Sequence, residues 1–302
     1  MFAEKIMLGV GIALLTSLAW SISSICVKLV AEKIDSLGIN TLRTWVGSAL
    51  LISLILVTGR YEAFSHIPWG SFVYVVLSGI LAMAIGDTIY IKSVALLDVS
   101  IAFPLSQCSF ILLAVLSAIL FLGEQFTWIT AAGAVLVIIG IYLMTSSGVR
   151  RGNPFDKKRI NPKGLLFILV AIIAWTGATI LLKIGVIGVD PFIAASLRIS
   201  ASAIVLIFLF VFQSGKAGVS FKLKGKRNLA LIAASGLLTY GVAAVGYISA
   251  IQLIGAGKTV LLTAIAPLFA LPFSILILKE KPTAYTITGV LISVCGVCLV
   301  VV

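Results

Sequence analysis

The stretch AWSISSICVK at residues 19–28 returns as AWTGATILLK at residues 174–183. Each copy sets a tryptophan, a hydroxyl residue four positions on and a lysine eight positions on along one helix face, within a run that is otherwise apolar. Trp20, Ser21, Ser24 and Lys28 thus meet Trp175, Thr176, Thr179 and Lys183 at an offset of 155, and Arg43 meets Arg198 at the same offset. Farther along, Gly79 and Tyr90 match Gly236 and Tyr247 at 157, while Glu124, Thr127, Gly133 and Gly140 match Glu280, Thr283, Gly289 and Gly296 at 156. Register kept over so many positions marks an internal duplication.

The surroundings of these motifs fix the solvent. Of 302 residues, 61% are hydrophobic and 11% charged, and the mean hydropathy is +1.23, which excludes an ordinary soluble domain. Uncharged runs such as 6–27, 99–123, 228–257, 259–278 and 282–302 each reach the roughly 20 residues that cross a bilayer. Hydropathy and turn punctuation predict helices near 7–29, 38–58, 70–95, 100–122 and 128–146, then near 164–186, 192–213, 229–252, 259–278 and 284–302. The predicted fold is all-α integral membrane: ten transmembrane helices as two five-helix repeats, 1–148 and 164–302, joined by a basic polar linker, 149–163. Five being odd, the second copy enters the membrane from the opposite face. The repeats are therefore expected to be inverted around a central cavity, an arrangement suited to alternating access. Met1 to Ser17 has the pattern of a signal peptide, but that pattern recurs in mid-chain, so the first segment is expected to be retained as a helix.

The formal charge is +12. It lies in loops between apolar runs rather than on a hydrated face, which speaks for membrane orientation and against a nucleic-acid partner. Setting aside the repeat-matched cations, Lys5, Arg60 and Lys258 fall on the side of the termini and fifteen basic residues on the side of the linker. That bias predicts a cytoplasmic linker, both termini outside and a cell-membrane location. The four cysteines, Cys26, Cys108, Cys295 and Cys298, all sit in apolar segments. They form no disulfide framework, and with a single histidine and no acidic neighbour the Cys295/Cys298 pair reads as packing rather than as a metal site.

Ala19-Trp20 with Lys28 and Arg43, the segment Ala266-Pro267-Leu268, and the steps Glu124 to Thr127 and Glu280 to Thr283 resemble the drug/metabolite transporter superfamily, specifically its EamA-type members. The resemblance covers nearly the whole chain. It implies ten helices, a cavity lined by the first four of each half with the fifth at the edge, and carriage of metabolites: amino acids, nucleotide sugars, phosphorylated sugars, amines and other small solutes. Two features depart from it. Ile111 stands where the second half has Pro267, and many relatives have cytoplasmic termini, opposite to the charge bias here.

Several residues are candidates for the substrate path. The stripes Trp20, Ser24, Lys28 and Trp175, Thr179, Lys183 are expected to look into the bundle; alternatively the hydroxyls bond across helices and the lysines snorkel to the interface. Arg43 and Arg198, expected at the start of the second helix of each half, either hold a carboxylate or phosphate or tie down structure, and their symmetry favours the second role. Asp87 falls within the third span, where a charge costs roughly 2.5 to 3.5 kcal/mol on insertion scales, so it is expected to face a cavity or a basic partner such as Lys28, Arg43 or Lys92. Its repeat mate is Ala244. That asymmetry suggests binding of a cationic group or uptake of a coupling proton, with a structural ion pair as the alternative. Tyr90, Tyr240 and Tyr247 offer cation-π or stacking surfaces or else interfacial packing, and Gln107, Gln252 and Thr263 are further lining candidates. Pro267 and Pro272 each remove a backbone bond, freeing the carbonyls of Thr263 and Leu268, and are candidate gating kinks. Glu124 and Glu280 read as loop chemistry beside the N-caps Thr127 and Thr283, and the four matched glycines as close helix packing.

No stretch completes a P-loop, since Gly255-Ala256-Gly257-Lys258-Thr259 begins a span and does not follow a strand. There is no catalytic set either. The sequence therefore predicts a secondary-active carrier that is not an enzyme and uses no cofactor or metal. Its expected cargo is a small polar metabolite, an amino acid or amine-bearing compound, with export as one direction open to it; anionic metabolites such as nucleotide sugars or sugar phosphates, and lipid flipping, are the alternatives. Monomer and homodimer are both open.

Overall fold

The computed structural model describes residues 2–31, 36–97, 99–146, 161–217, 225–278 and 283–301. Residues 149–160 of the linker and Glu280 lie outside them. The described chain is helical: α1 (Phe2–Ala31), α2 (Ser36–Val57), α3 (Trp69–Gly79), α4 (Asp87–Leu96), α5 (Val99–Leu122) and α6 (Trp128–Ser146), then α7 (Pro162–Gly185), α8 (Pro191–Ala217), α9 (Lys226–Gly236), α10 (Ala243–Ile254), α11 (Ala256–Thr263), α12 (Ala266–Leu278) and α13 (Ala284–Val301). Among the described residues nine helical runs are long and apolar enough to cross a membrane, and Trp128–Met144 is a shorter apolar helix.

Local chemistry accounts for several boundaries. Thr127 Oγ1 accepts the Thr130 amide at 3.1 Å, and Thr283 Oγ1 accepts that of Thr286 at 3.2 Å, so both serve as N-caps for α6 and α13. Asn161 Oδ1 accepts from the Lys163 amide at 3.0 Å with Pro162 in the first turn, starting α7 two residues before the expected position. Asp190 Oδ1 caps α8 through the Phe192 amide at 2.8 Å, while its Oδ2 takes a 2.7 Å ion pair from Arg60.

The expected third and eighth helices are not uniform. A π-helical turn, Ile80–Gly86, separates α3 from α4, and another, Leu237–Val242, separates α9 from α10. Their first residues stand 157 apart, the offset of the flanking Gly79/Gly236 pair. Each widened turn shifts the register of the helix that follows, a feature common at functional sites. In the second half the chain also breaks between α11 and α12, at residues 264–265, with Pro267 in the first turn of α12. In the first half α5 runs unbroken through Ile111, which is fully buried.

Packing between halves is reciprocal. α1 packs on α9, α10 and α12, and α7 packs on α3, α4 and α5, the corresponding elements of the other half. Added Cβ atoms at Gly79 and Gly236 would strike the carbonyls of Arg198 and Arg43 respectively, so each glycine admits the second helix of the opposite half. α6 and α13 form the most extensive pair, and they run antiparallel: a Cβ on Gly133 would lie 2.6 Å from the Gly296 carbonyl, and one on Gly140 2.6 Å from that of Gly289. Glycine lets these backbones touch where any side chain would hold them apart.

Gly140→Val should therefore separate α6 from α13 and cost about 1 to 3 kcal/mol, the usual range for overpacking, read as a lower melting temperature in detergent. Gly11→Ala, whose added Cβ meets nothing within 4 Å, is the control expected to melt like the parent.

Candidate functional site

Between the halves lies a cavity of about 550 Å³. Its walls come from both, with Trp20 and Ser24 on α1, Asp87 at the start of α4, Gln107 and Phe110 on α5, Trp175 and Thr179 on α7 and Arg198 on α8. Thr239, Tyr240, Ala244 and Tyr247 close it from α10 and the preceding π-turn, and Thr263, Ala264, Ala266 and Pro267 from the break between α11 and α12. Exposure grades along it: Ser24, near the C-terminal end of α1, is exposed, whereas Val260 and Thr263 are 2% and 4% exposed. Glu124 of the first half caps α11, whose Val260 and Thr263 line the cavity, its two carboxylate oxygens accepting the Ala256 and Gly257 amides at 2.6 and 3.0 Å. Gly255, at φ 87°, is required there, because a Cβ would stand 2.7 Å from that carboxylate. Glu124 thus joins the halves and is more than loop chemistry.

Asp87 follows directly on the first π-turn. Its Oδ1 accepts from Trp175 Nε1 at 2.9 Å, and the same indole N–H lies 3.2 Å from the Ala82 carbonyl, which also takes the Asp87 amide. Among the described residues Asp87 forms no ion pair. The expected basic partner is replaced by an indole of the other half, while Arg43 and Arg198 act on Asp87 only at longer range. The ring of Trp175 is held by Tyr90 at 5.3 Å and by Phe110 at 5.9 Å. Its counterpart Trp20 is held by Tyr247 at 5.4 Å. Each tryptophan therefore pairs with the tyrosine of the opposite half, and the duplication has been used crosswise.

The break at Pro267 leaves the Thr263 carbonyl without its helical donor. Ser17 Oγ lies 3.3 Å away and donates to it, and Ser21 Oγ donates to the neighbouring Ala266 carbonyl. Both hydroxyls come from α1 in the other half.

Five sequence candidates do not line the cavity. Lys28 and Lys183 stand eight residues beyond their tryptophans, and at 3.6 residues per turn that places them about 80° around the helix. Lys28 is exposed, and Lys183 donates to the Ile251 carbonyl at 2.9 Å, closing the last turn of α10. Tyr90, three residues past Asp87, lies behind the Trp175 ring. Pro272 stands about 140° around the helix from Pro267 by the same pitch; it is exposed, and α12 continues through it. Gln252 is also diverted, its Nε2 donating to the Val186 and Val189 carbonyls at 2.6 and 2.8 Å.

Trp20, Ser24, Asp87, Gln107, Trp175, Thr179, Tyr240, Tyr247, Thr263 and Pro267 do line it. Arg198 joins them, two turns inside α8 rather than at its start. Sequence reasoning missed Met83, Phe110, Ile141, Thr239 and Val260 as wall residues. An apolar residue facing a cavity has the same hydropathy as one facing lipid, so only Thr239 carried any signal.

The EamA-like transporter family matches residues 7–146 and again 162–302. A protein of Archaeoglobus fulgidus described as an uncharacterized transporter is 22% identical over 293 residues, covering 97% of this chain and 98% of that one. A second uncharacterized transporter, from Clostridium kluyveri, is 29% identical over 154 residues, 50% of this chain and 48% of its own. A solved crystal structure superposes with a TM-score of 0.77 at 16% identity, covering 97% of this chain and 96% of that one, which is a likeness of fold.

The indole bond makes a sharp prediction. Trp175→Phe and Asp87→Asn should each lower the melting temperature, and because both weaken one charge-assisted contact, the double variant should fall short of additivity by about 1 kcal/mol. Strict additivity in a detergent melt would contradict the contact.

Proposed function

The chain belongs to the EamA-like transporter family, and from that premise we propose a secondary-active carrier of small polar metabolites, amino acids or amine-bearing compounds, working by alternating access. The observation that carries this reading is the cavity between the halves with Asp87 in its wall, held by a neutral indole so that its second oxygen stays available to a ligand. An anion in the membrane interior is stabilised by a partner or by water, and a substrate ammonium supplies such a partner. Trp20, Trp175, Tyr240 and Tyr247 add aromatic faces that favour a cation, and Ser24, Gln107, Thr179 and Thr263 add hydrogen-bonding groups.

In this reading the two halves are inverted five-span repeats. The antiparallel crossing of α6 on α13 supports that, and α6, about 28 Å long by its rise per residue, counts as the tenth span. Residues 1–148 and 164–302 then form the two units, with the linker cytoplasmic and the termini outside the cell membrane. The wide end of the cavity, by Ser24, faces the linker, and Glu124 on α11 closes the other face. Transport exchanges these two ends, with the break at Pro267 as the hinge and Asp87 as the group that takes a coupling proton when the substrate leaves. Export is the direction suited to a cavity open to the cytoplasm, and a monomer contains the whole path. An anionic cargo would draw on Arg198, and that second reading is separable by experiment.

The deciding measurement is counterflow in proteoliposomes with a panel of amino acids, amines, sugar phosphates and nucleotide sugars. Saturable flux of an amine-bearing member is expected, with Asp87→Asn lowering it at least tenfold and removing its dependence on a pH gradient. Unchanged flux and pH dependence in Asp87→Asn would discard the assignment, and flux confined to anions or lipids would replace it.

A further inference from the structure

Arg43 and Arg198 are equivalent in the duplication, but their surroundings differ. Arg43 Nη2 donates to Ser23 Oγ at 3.1 Å and to Thr239 Oγ1 at 3.0 Å, and its guanidinium lies 5.2 Å over the ring of Tyr240. Those three partners have no counterparts around Arg198: at the offsets of the duplication, Ser23 becomes Ala178, Thr239 becomes Ala82 and Tyr240 becomes Met83. Only the Ser78 hydroxyl remains, accepting from Arg198 Nε at 3.1 Å. Arg198 is 8% exposed and lines the cavity, and its two terminal nitrogens meet no acceptor among the described residues. A nearly buried guanidinium with its donor fork left open is costly unless something else fills it. Asp87, whose own counterpart is Ala244, lies across the same cavity and does not pair with it. The duplication has thus been edited twice, to leave one anion and one cation open to the same space.

We infer that Arg198 is the residue that selects for a carboxylate, so that the cargo is zwitterionic, an α-amino acid held by its ammonium at Asp87 and by its carboxylate on the Arg198 fork. This rests on the carrier reading of the cavity and narrows it, excluding simple amines as preferred cargo. A guanidinium takes both carboxylate oxygens at once in a geometry that lysine lacks, and Ser78 positions it by holding Nε.

The test uses the full chain in detergent and in proteoliposomes, with three matched probes: L-phenylalanine, phenethylamine and 3-phenylpropionate, and the corresponding leucine set. Wild-type protein should bind the amino acids at least tenfold more tightly than either partial analogue. Arg198→Gln should weaken the amino acid about 10- to 100-fold, the loss expected for a charge-assisted contact, while leaving the amine unchanged, and the retained amine binding certifies the fold. Arg198→Lys should recover only part of the loss. Should both Arg198 variants fail to fold, Ala178→Ser with Ala82→Thr carries the test: it returns to Arg198 the hydroxyls that Arg43 has, and should weaken only carboxylate-bearing probes. Equal wild-type affinity for amine and amino acid, or an Arg198→Gln variant that keeps the preference, overturns this inference and leaves the carrier reading standing. Binding of no probe, with flux of some other class, overturns both.

Discussion

A backbone carbonyl inside a membrane must find a donor within the protein, because no water is there to supply one. In this chain the carbonyls at its helix irregularities find theirs in the opposite half. Ser17 and Ser21 serve the carbonyls of Thr263 and Ala266 at the Pro267 break, Trp175 serves Ala82 at the first π-turn, and Ser23 serves Ser235 just before the second. The interface between halves is therefore a condition for the irregular backbone that shapes the cavity. Neither half could hold its own break or widened turn in lipid without the other.

The same crosswise logic governs the side chains. Trp20 with Tyr247 and Trp175 with Tyr90 are one pairing written twice, and Gly79 under Arg198 with Gly236 under Arg43 is another. These contacts account for the matched positions better than any catalytic or ligand role, since they recur unchanged in both copies. Function is to be sought where the copies differ. The differences cluster in the cavity wall: Asp87 against Ala244, Pro267 against Ile111, and the lost hydroxyls around Arg198. The matched contacts build the frame, and the asymmetric substitutions change which groups face the cavity.

Helices, their approximate limits and the duplication were legible in the residues, because the length and hydropathy of a span, and an offset between motifs, are properties of the chain read in order. The matched glycines and the two threonine caps were legible for the same reason, their partners lying within the motif or its copy. The π-turns were not, since a widened turn has no composition of its own and exists only because tertiary contacts hold it. Which members of a stripe face the cavity was also hidden. Eight residues of helix rotate by about 80°, enough to carry Lys28 and Lys183 out of the wall while Ser24 and Thr179 stay in it.

By itself, then, the sequence determined an α-helical membrane protein built from two matched halves, with Asp87 marked as the odd residue in the duplication. Only the tertiary structure decided that Asp87 is held by Trp175 of the other half, that Arg43 finds Thr239 of the other half while the terminal nitrogens of Arg198 meet no acceptor among the described residues, and that Glu124 caps α11. Partition into the bilayer depends on each segment's own hydropathy, whereas these contacts depend on helix rotation and on groups more than 80 positions away in the chain, which no local pattern records.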